Sequence, residues 1–172
     1  MPSIGFQIEP QQHSNWCWAA VAVSVERYFD PDSRWCQCRM ASRMAKLTTL
    51  KVKGCGTCKK PTPTPRACNR PWYLEKALQL AGRLKAKPKP TPLSFSRVRK
   101  RIAAGRPVCA RIVWGQGPDA HFVVISGWHR TKSGALWVDV EDPDSGSSTW
   151  LYEEFRSNYQ YAQGHWVATY PV

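Results

Sequence analysis

Cys17 is the residue of this chain whose setting most favours nucleophilic chemistry. It lies between two tryptophans in the run NWCWAA, which begins at Asn15. A cysteine attacks as a thiolate, which a nearby imidazole or the N-terminal end of a helix stabilises. The run from Trp16 to Tyr28 is apolar on nearly all faces and contains no Gly or Pro, which predicts a buried helix. With Ser14 or Asn15 as its cap and Pro31 after its end, this helix would carry Cys17 in its first turn.

A general base for Cys17 must come from one of the four histidines. His121 opens the most apolar predicted strand, directly after a Gly-rich turn, where its side chain would face a cleft. His13 lies in a polar lead-in, His129 beside a hairpin turn and His165 at the start of the last predicted strand. His121 is therefore the predicted base.

An acid and an amide complete the candidate site. If strands 121–128 and 135–142 pair as a hairpin, Asp142 lies beside His121 and can hold its tautomer. Gln11, six residues before Cys17, can donate an amide N–H to an oxyanion together with the backbone N–H of Cys17. Each piece alone is weak evidence, because a free cysteine is often part of the core and Asp-Pro is often a turn. The order Gln, Cys, His, Asp favours catalysis over these structural roles.

The remaining elements predict the fold that must position these side chains. Helices are expected at 71–81, with Pro71 in the first turn and Gly82 past the end, and at 94–104, before Gly105. After Gly105 the apolar period changes to that of strands. These are predicted at 108–114, 121–128, 136–140 and 166–170, with a short strand and a turn of helix at 150–155. Helices first and an antiparallel sheet second define the α+β class.

Five of the seven cysteines fall in an insert at 34–70. The Cys36-x-Cys38 and Cys55-x-x-Cys58 spacings suit zinc ligands. The competing interpretation is a disulfide-clamped loop, in which Cys68 holds the start of the following helix; it is favoured over zinc. Five cysteines cannot all pair, so one should stay free. Cys109 lies in a predicted strand and is expected in the core.

Composition narrows the class of protein. At 172 residues the chain is long enough to bury a core as one domain, 1–172, and no run of about 18 apolar residues predicts a membrane span. The N-terminus has neither a basic region nor an apolar region typical of a secretory signal. Its 25 Lys and Arg against 12 Asp and Glu give a net charge of +13. The scattered basic residues match no nucleic-acid-binding motif, so nucleic acid is not expected as the main partner and an acidic protein explains the charge equally well.

The segment from Gln11 to Ala20 resembles the active-site segment of bacterial papain-like cysteine proteases of the avirulence-effector (AvrRpt) type. The likeness continues, in the same order, along nearly the whole chain: Gln37-Cys38, Cys68-Asn69-Arg70-Pro71, Ala77-Leu78, Gly105-Arg106-Pro107-Val108, His121 to Gly127, Val140-Glu141-Asp142-Pro143, Gly146, Glu154-Phe155 and Trp166. The chain is more distantly similar to the leader peptidases of bacteriocin exporters, which lack the Cys-rich insert.

The resemblance implies a papain-like fold, with a helical part at about 1–105 and a β part at about 106–172. It implies Cys17 as nucleophile, His121 as base and Asp142 as the acid that orients it. Gln11 falls where the family has its oxyanion glutamine, and Gln12 is the fallback. No cofactor is implied.

The resemblance also bears on the insert and on biology. The family's cysteines match Cys38, Cys55, Cys58 and Cys68, which are therefore the expected disulfide set, with Cys36 as an addition. Proteases of this type are often secreted bacterial effectors or toxins. Disulfides without a cleavable signal suggest delivery by a specialised system into the cytoplasm of a target cell, and an acidic immunity protein in the producing cell.

The sequence therefore predicts a cysteine endopeptidase that cleaves a protein substrate through a thioester acyl-enzyme. Two alternatives remain open at this point. A transglutaminase- or deamidase-type acyl transferase would use the same triad, and a basic binding module would carry it inactive.

Overall fold

The central helix of the protein, α1 (Cys17–Phe29), is buried over most of its length because Ala and Val fill nearly all of its faces. The computed structural model describes residues 2–48, 52–58, 64–115 and 120–172. The helix begins one residue later than expected and ends before Asp30. Its N-cap is Trp16, which makes no side-chain cap hydrogen bond, so the expected capping by Ser14 or Asn15 is wrong.

Four further α-helices lie among the described residues. They are α2 (Gln37–Lys46), α3 (Leu74–Leu80), α4 (Phe95–Ala103) and α5 (Tyr152–Ser157), and a short 3-10 turn spans Arg66–Cys68. The helix expected at 71–81 begins only at Leu74, so Pro71 lies before it. Helix α2 was not predicted. It forms because Met40, Ala41 and Met44 make one buried stripe along it.

In the part of the chain that the structure describes, five strands form one antiparallel sheet in the order β4-β3-β2-β1-β5. Their bounds are β1 (Val108–Trp114), β2 (Ala120–Arg130), β3 (Leu136–Asp142), β4 (Gly146–Leu151) and β5 (Gly164–Pro171). The predicted strands are all present, with β2, β3 and β5 longer than expected. Residues 150–155 divide between the end of β4 and α5, as the sequence indicated.

The middle of strand β2 is buried because both of its faces are covered. Side chains alternate across a strand, so Phe122 and Val124 pack in one core with α1, while Val123 and Ile125 pack in another with α4 and α5. Cys109 is fully buried in the first core, as expected. The helical half and the sheet therefore meet along α1 and β2.

Two connections that the sequence predicts lie partly outside the described residues. One is an extended Pro-Thr repeat in the insert, Pro61 to Pro65, of which 61–63 are not described. The other is the Gly-rich turn before β2, of which 116–118 are not described. Among the described residues, no helix has the length and apolar character that crossing a membrane requires.

Candidate active site

Cys17 is the first residue of α1 and is 7% exposed. The first N–H groups of a helix have no acceptor within the helix, and they give this end a partial positive charge. The fold therefore provides the helix-start environment that the sequence predicted for Cys17.

The two tryptophans beside Cys17 fix the start of the helix to the segment that follows the insert. Trp16 donates its indole N–H to the carbonyl of Cys68 at 2.8 Å, and Trp18 donates to that of Arg70 at 3.2 Å. Both rings are fully buried. The tryptophans thus anchor the start of the helix, and the backbone of 68–70 supplies their acceptors.

Asn69 continues this attachment with its own side chain. Its Oδ1 accepts the backbone N–H of Asn15 at 3.0 Å, and its Nδ2 donates to Ser14 Oγ at 3.0 Å. Asn15 Nδ2 donates in return to the Asn69 carbonyl at 3.3 Å. Ser14 and Asn15 therefore bind a neighbouring segment instead of capping α1.

The predicted hairpin brings His121 and Asp142 together. Strands β2 and β3 pair antiparallel, and His121 Nε2 lies 2.6 Å from Asp142 Oδ1. Cys17 lies close enough to act on the imidazole, because hydrogen bonding with its side chain and its charge both raise the pKa of His121. Because Nε2 is engaged by Asp142, Nδ1 is the ring nitrogen left for the thiol. The three residues singled out for nucleophile, base and acid are thus in contact as a chain of side chains.

The Asp142 carboxylate is buried and fully engaged. Its Oδ1 also accepts the backbone N–H groups of Asp144 at 2.8 Å and Ser145 at 3.3 Å. Its Oδ2 accepts the hydroxyl of Tyr159 at 2.8 Å and the side-chain amide of Gln160 at 3.4 Å. This many donors hold the carboxylate in one orientation and favour its ionised form.

These contacts shift the protonation of the pair in opposite directions. Burial alone would lower the pKa of His121, but its hydrogen bonds to Asp142 and Cys17 and their charges raise it to about 10. Burial alone would raise the pKa of Asp142, but His121, with the N–H of Asp144 and the hydroxyl of Tyr159, lowers it to about 2. At neutral pH the site therefore favours an imidazolium held by a carboxylate.

Tyr159 was not predicted from the sequence, which offers no signal for it. Its ring is 1% exposed and packs against Trp150 and Phe155, with centroids 5.1 and 5.3 Å away. Burial, followed by the negative charge of Asp142, raises its pKa, so the hydroxyl stays protonated and acts as a donor. Trp114 lies beside both Tyr159 and His121, with centroid distances of 6.5 and 6.4 Å.

Gln11 lies against the turn that follows Asp142. Its backbone N–H donates to the Pro143 carbonyl at 2.8 Å, and its Nε2 donates to Ser14 O and Asp144 Oδ1, both at 3.1 Å. Gln12, the fallback, faces the insert, where its Oε1 accepts from the Cys38 thiol at 3.4 Å. Of the two glutamines, Gln11 is therefore the one joined to the Asp142 turn.

The other histidines have separate surroundings. His13 packs edge-on against Trp16 at 4.3 Å and contacts Thr64 Oγ1 at 2.9 Å. His129 stacks on Trp137 at 5.8 Å, and His165 is exposed on β5.

The cysteine insert contains two disulfides, Cys36–Cys58 and Cys55–Cys68. The expected set of Cys38, Cys55, Cys58 and Cys68 is therefore wrong in one member, because Cys36 pairs and Cys38 is free and buried. Cys36 is the N-cap of α2, whereas Cys38 lies inside the helix, where its thiol faces Gln12. The zinc alternative with Cys36, Cys38, Cys55 and Cys58 does not fit, since three of these four sulfurs are in disulfides.

A thiol at the start of a buried helix, with a histidine and an acid from an antiparallel sheet, is the arrangement of papain-like thiol proteases. A family model described as papain-like cysteine protease AvrRpt2 matches residues 3–160. The chain belongs to this family and is a papain-like cysteine peptidase. No curated protein gives a significant match.

Replacing Tyr159 with Phe removes one donor from Asp142 and keeps the ring. The carboxylate then becomes free to turn, and the imidazole is held less firmly against Cys17. We expect the rate of Cys17 alkylation by iodoacetamide at pH 7, followed by peptide mass spectrometry, to fall about three- to tenfold. Tyr161→Phe is the matched control, because Tyr161 is 78% exposed. An unchanged rate in Tyr159→Phe would contradict the positioning role.

The two disulfides should differ in their effect on the site. Their sequence separations are 22 and 13 residues, so losing either as a double Ser variant should lower the free energy of unfolding by about 3 kcal/mol. Only Cys55–Cys68 is joined to the carbonyl that holds Trp16. We therefore expect slower Cys17 alkylation in Cys55→Ser/Cys68→Ser than in Cys36→Ser/Cys58→Ser. Equal alkylation rates in the two variants would contradict this link.

Proposed function

We propose that the protein is a cysteine endopeptidase that acts on protein substrates through Cys17, His121 and Asp142. The observation that carries the proposal is the placement of His121 between Cys17 and the buried Asp142 carboxylate, with His121 Nε2 2.6 Å from Asp142 Oδ1. Residues 1–172 would act as one protease domain, since both the helical half and the sheet contribute side chains.

In the first half of the reaction the Cys17 thiolate attacks the carbonyl carbon of a peptide bond and forms a C–S bond. The carbonyl oxygen takes up negative charge, which the Gln11 amide and the Cys17 backbone N–H stabilise. The imidazolium of His121 gives its Nδ1 proton to the leaving nitrogen as the C–N bond breaks. A free amine and a thioester remain.

In the second half His121, now neutral, takes a proton from water, and the hydroxide attacks the thioester. The C–S bond breaks, the carboxylic product leaves, and the thiolate and imidazolium return. Throughout, Asp142 stays ionised and holds the imidazole by its Nε2–H.

The glutamine role requires one exchange of hydrogen-bond partner. Both Nε2 hydrogens of Gln11 are donated, to Ser14 O and to Asp144 Oδ1. An oxyanion would replace one of these acceptors. The Asp144 contact is the more exchangeable, because that carboxylate is on an exposed side chain that water can solvate.

We further propose that the enzyme is a secreted bacterial effector or toxin that is active in the cytoplasm of a target cell. The effector character of the matched family supports delivery, and two disulfides suit a protein that passes through an oxidising environment. A net charge of +13 would suit an acidic immunity protein. This last partner is wrong if no acidic protein encoded nearby inhibits the enzyme or co-purifies with it.

Cys17→Ala and His121→Ala should abolish cleavage, because Cys17 bonds to the substrate and His121 transfers a proton to it. Asp142→Ala should only weaken cleavage, because Asp142 orients the imidazole of His121. The readout is mass spectrometry of new protein N-termini after a lysate is incubated with each protein. Intact mass separates a chain cut from the small mass gain of deamidation or from a crosslink. Full cleavage by Cys17→Ala would refute the assignment.

Gln11→Ala should lower kcat about 100-fold or more, because one oxyanion donor is lost. Gln12→Ala is the control, since its side chain contacts Cys38 instead. The comparison uses one peptide chosen from the new N-termini. A larger loss in Gln12→Ala would transfer the oxyanion role to Gln12.

The pH dependence of kcat/KM should show its alkaline limb near pH 10, where His121 loses its proton. Asp142→Asn removes the negative charge that helps raise this pKa, so the limb should move to lower pH. The stabilisation from the raised His121 pKa is present below its unfolded value near 6.5 and is lost as pH rises through about 10. An alkaline limb that stays in place in Asp142→Asn would contradict the assignment.

A further inference from the structure

The positive charge lies mainly in residues 33–118, which contain 21 of the 25 Lys and Arg and one acidic residue, Glu75. Residues 76–118 contain eleven Lys and Arg and no Asp or Glu. None of these basic side chains belongs to the candidate active site, so the proposed reaction does not account for them.

Five of these cations line one concave surface, which we call the α4 groove. It has a volume of about 370 Å³ and is lined by Lys89, Leu93, Arg97, Lys100, Arg101 and Arg106, with a small contribution from Ala104. No acidic side chain lines it among the described residues. None of Cys17, His121, Asp142 and Gln11 lines it either, so it is separate from the candidate active site.

The groove is built by regular backbone. Arg97, Lys100 and Arg101 are three and four residues apart on α4, and so lie on one face of the helix. Gly105, at a φ of +66°, turns the chain after the helix, and the N–H of Arg106 donates back to the Arg101 carbonyl at 3.0 Å. Lys89, which also lines the groove, is held in place by two backbone hydrogen bonds with Thr169, at 2.8 and 2.9 Å.

Two cations of the groove, Arg101 and Arg106, lie close enough to repel each other. Arg101 is partly buried and donates to the backbone oxygen of Val172. Burial, followed by the nearby positive charge of Arg106, lowers the pKa of Arg101. Within the described part of the chain, the salt bridges of arginines and lysines involve Arg27, Arg83 and Arg156, none of them in the groove. An anion in the groove would relieve this repulsion.

We propose that the α4 groove binds a small phosphate-rich anion. Each of the three arginines of the groove can donate two parallel N–H groups to a pair of phosphate oxygens. A single carboxylate has only two oxygens, so it would accept fewer of these N–H groups. A volume of about 370 Å³ suits a small ligand such as a polyphosphate or a phosphorylated headgroup. Extended nucleic acid or an acidic protein surface would instead engage cations along the whole basic region.

The test measures binding of sodium tripolyphosphate to the full chain by isothermal titration calorimetry. Arg97→Gln/Lys100→Gln/Arg106→Gln removes three exposed groove cations and leaves Arg101 in place. The matched control, Arg39→Gln/Arg43→Gln/Lys46→Gln, removes the same charge from the exposed face of α2. Circular dichroism and melting temperature establish that both variants are folded.

We expect the groove variant to bind at least tenfold more weakly than the wild type and the α2 control to bind within about twofold. Equal losses in both variants, or no binding by the wild type, would overturn the proposal. Vesicles of phosphatidylcholine with and without a phosphorylated inositol lipid distinguish a lipid headgroup from a free anion, and sensitivity to the groove variant in either arm supports the site. A duplex oligonucleotide that binds more tightly than tripolyphosphate and loses affinity equally in both variants would replace it with a diffuse basic surface.

Discussion

The hydrogen bond between His121 Nε2 and Asp142 Oδ1 is the interaction on which the candidate site depends. It joins the second residue of β2 to the last residue of β3, so it exists only when the hairpin has its native register. A one-residue slip would turn every side chain of a strand to the opposite face. The donors around Asp142 keep the carboxylate charged although it is fully buried. The chemistry of Cys17 is therefore tied to the folding of a sheet distant in sequence.

Cys17, the proposed nucleophile, is positioned by contacts between the start of α1 and the segment 68–70. The segment 68–70 accepts both indole N–H groups beside Cys17, and Asn69 binds the residues before them. Cys68 is itself bonded to Cys55 in the insert. Through this disulfide, the Cys-rich insert helps to hold the start of α1 in place. The thiol of Cys17 is therefore positioned by the contacts of α1 with the segment 68–70, and the imidazole of His121 is positioned separately by Asp142.

The sequence predicted most of this arrangement, because helix and strand periods and the order of the reactive residues are local signals. The sequence did not predict α2, because its short apolar stripe of Met and Ala lies among cysteines and basic residues that obscure the helical period. It assigned Cys38 to a disulfide, because only the position of the α2 N-cap decides which sulfur faces Cys58. Tyr159 carries no chemical signature in a sequence, and its contact with Asp142 arises from the turn after α5.

We propose that Asp142 keeps His121 protonated beside Cys17. The most direct measurement is a titration of the His121 ring nitrogens by NMR in the wild-type protein. We predict that both nitrogens carry a proton at neutral pH and that Nδ1 loses it only near pH 10. A ring that titrates near the ordinary histidine value of about 6.5, with the protein folded, would contradict the account.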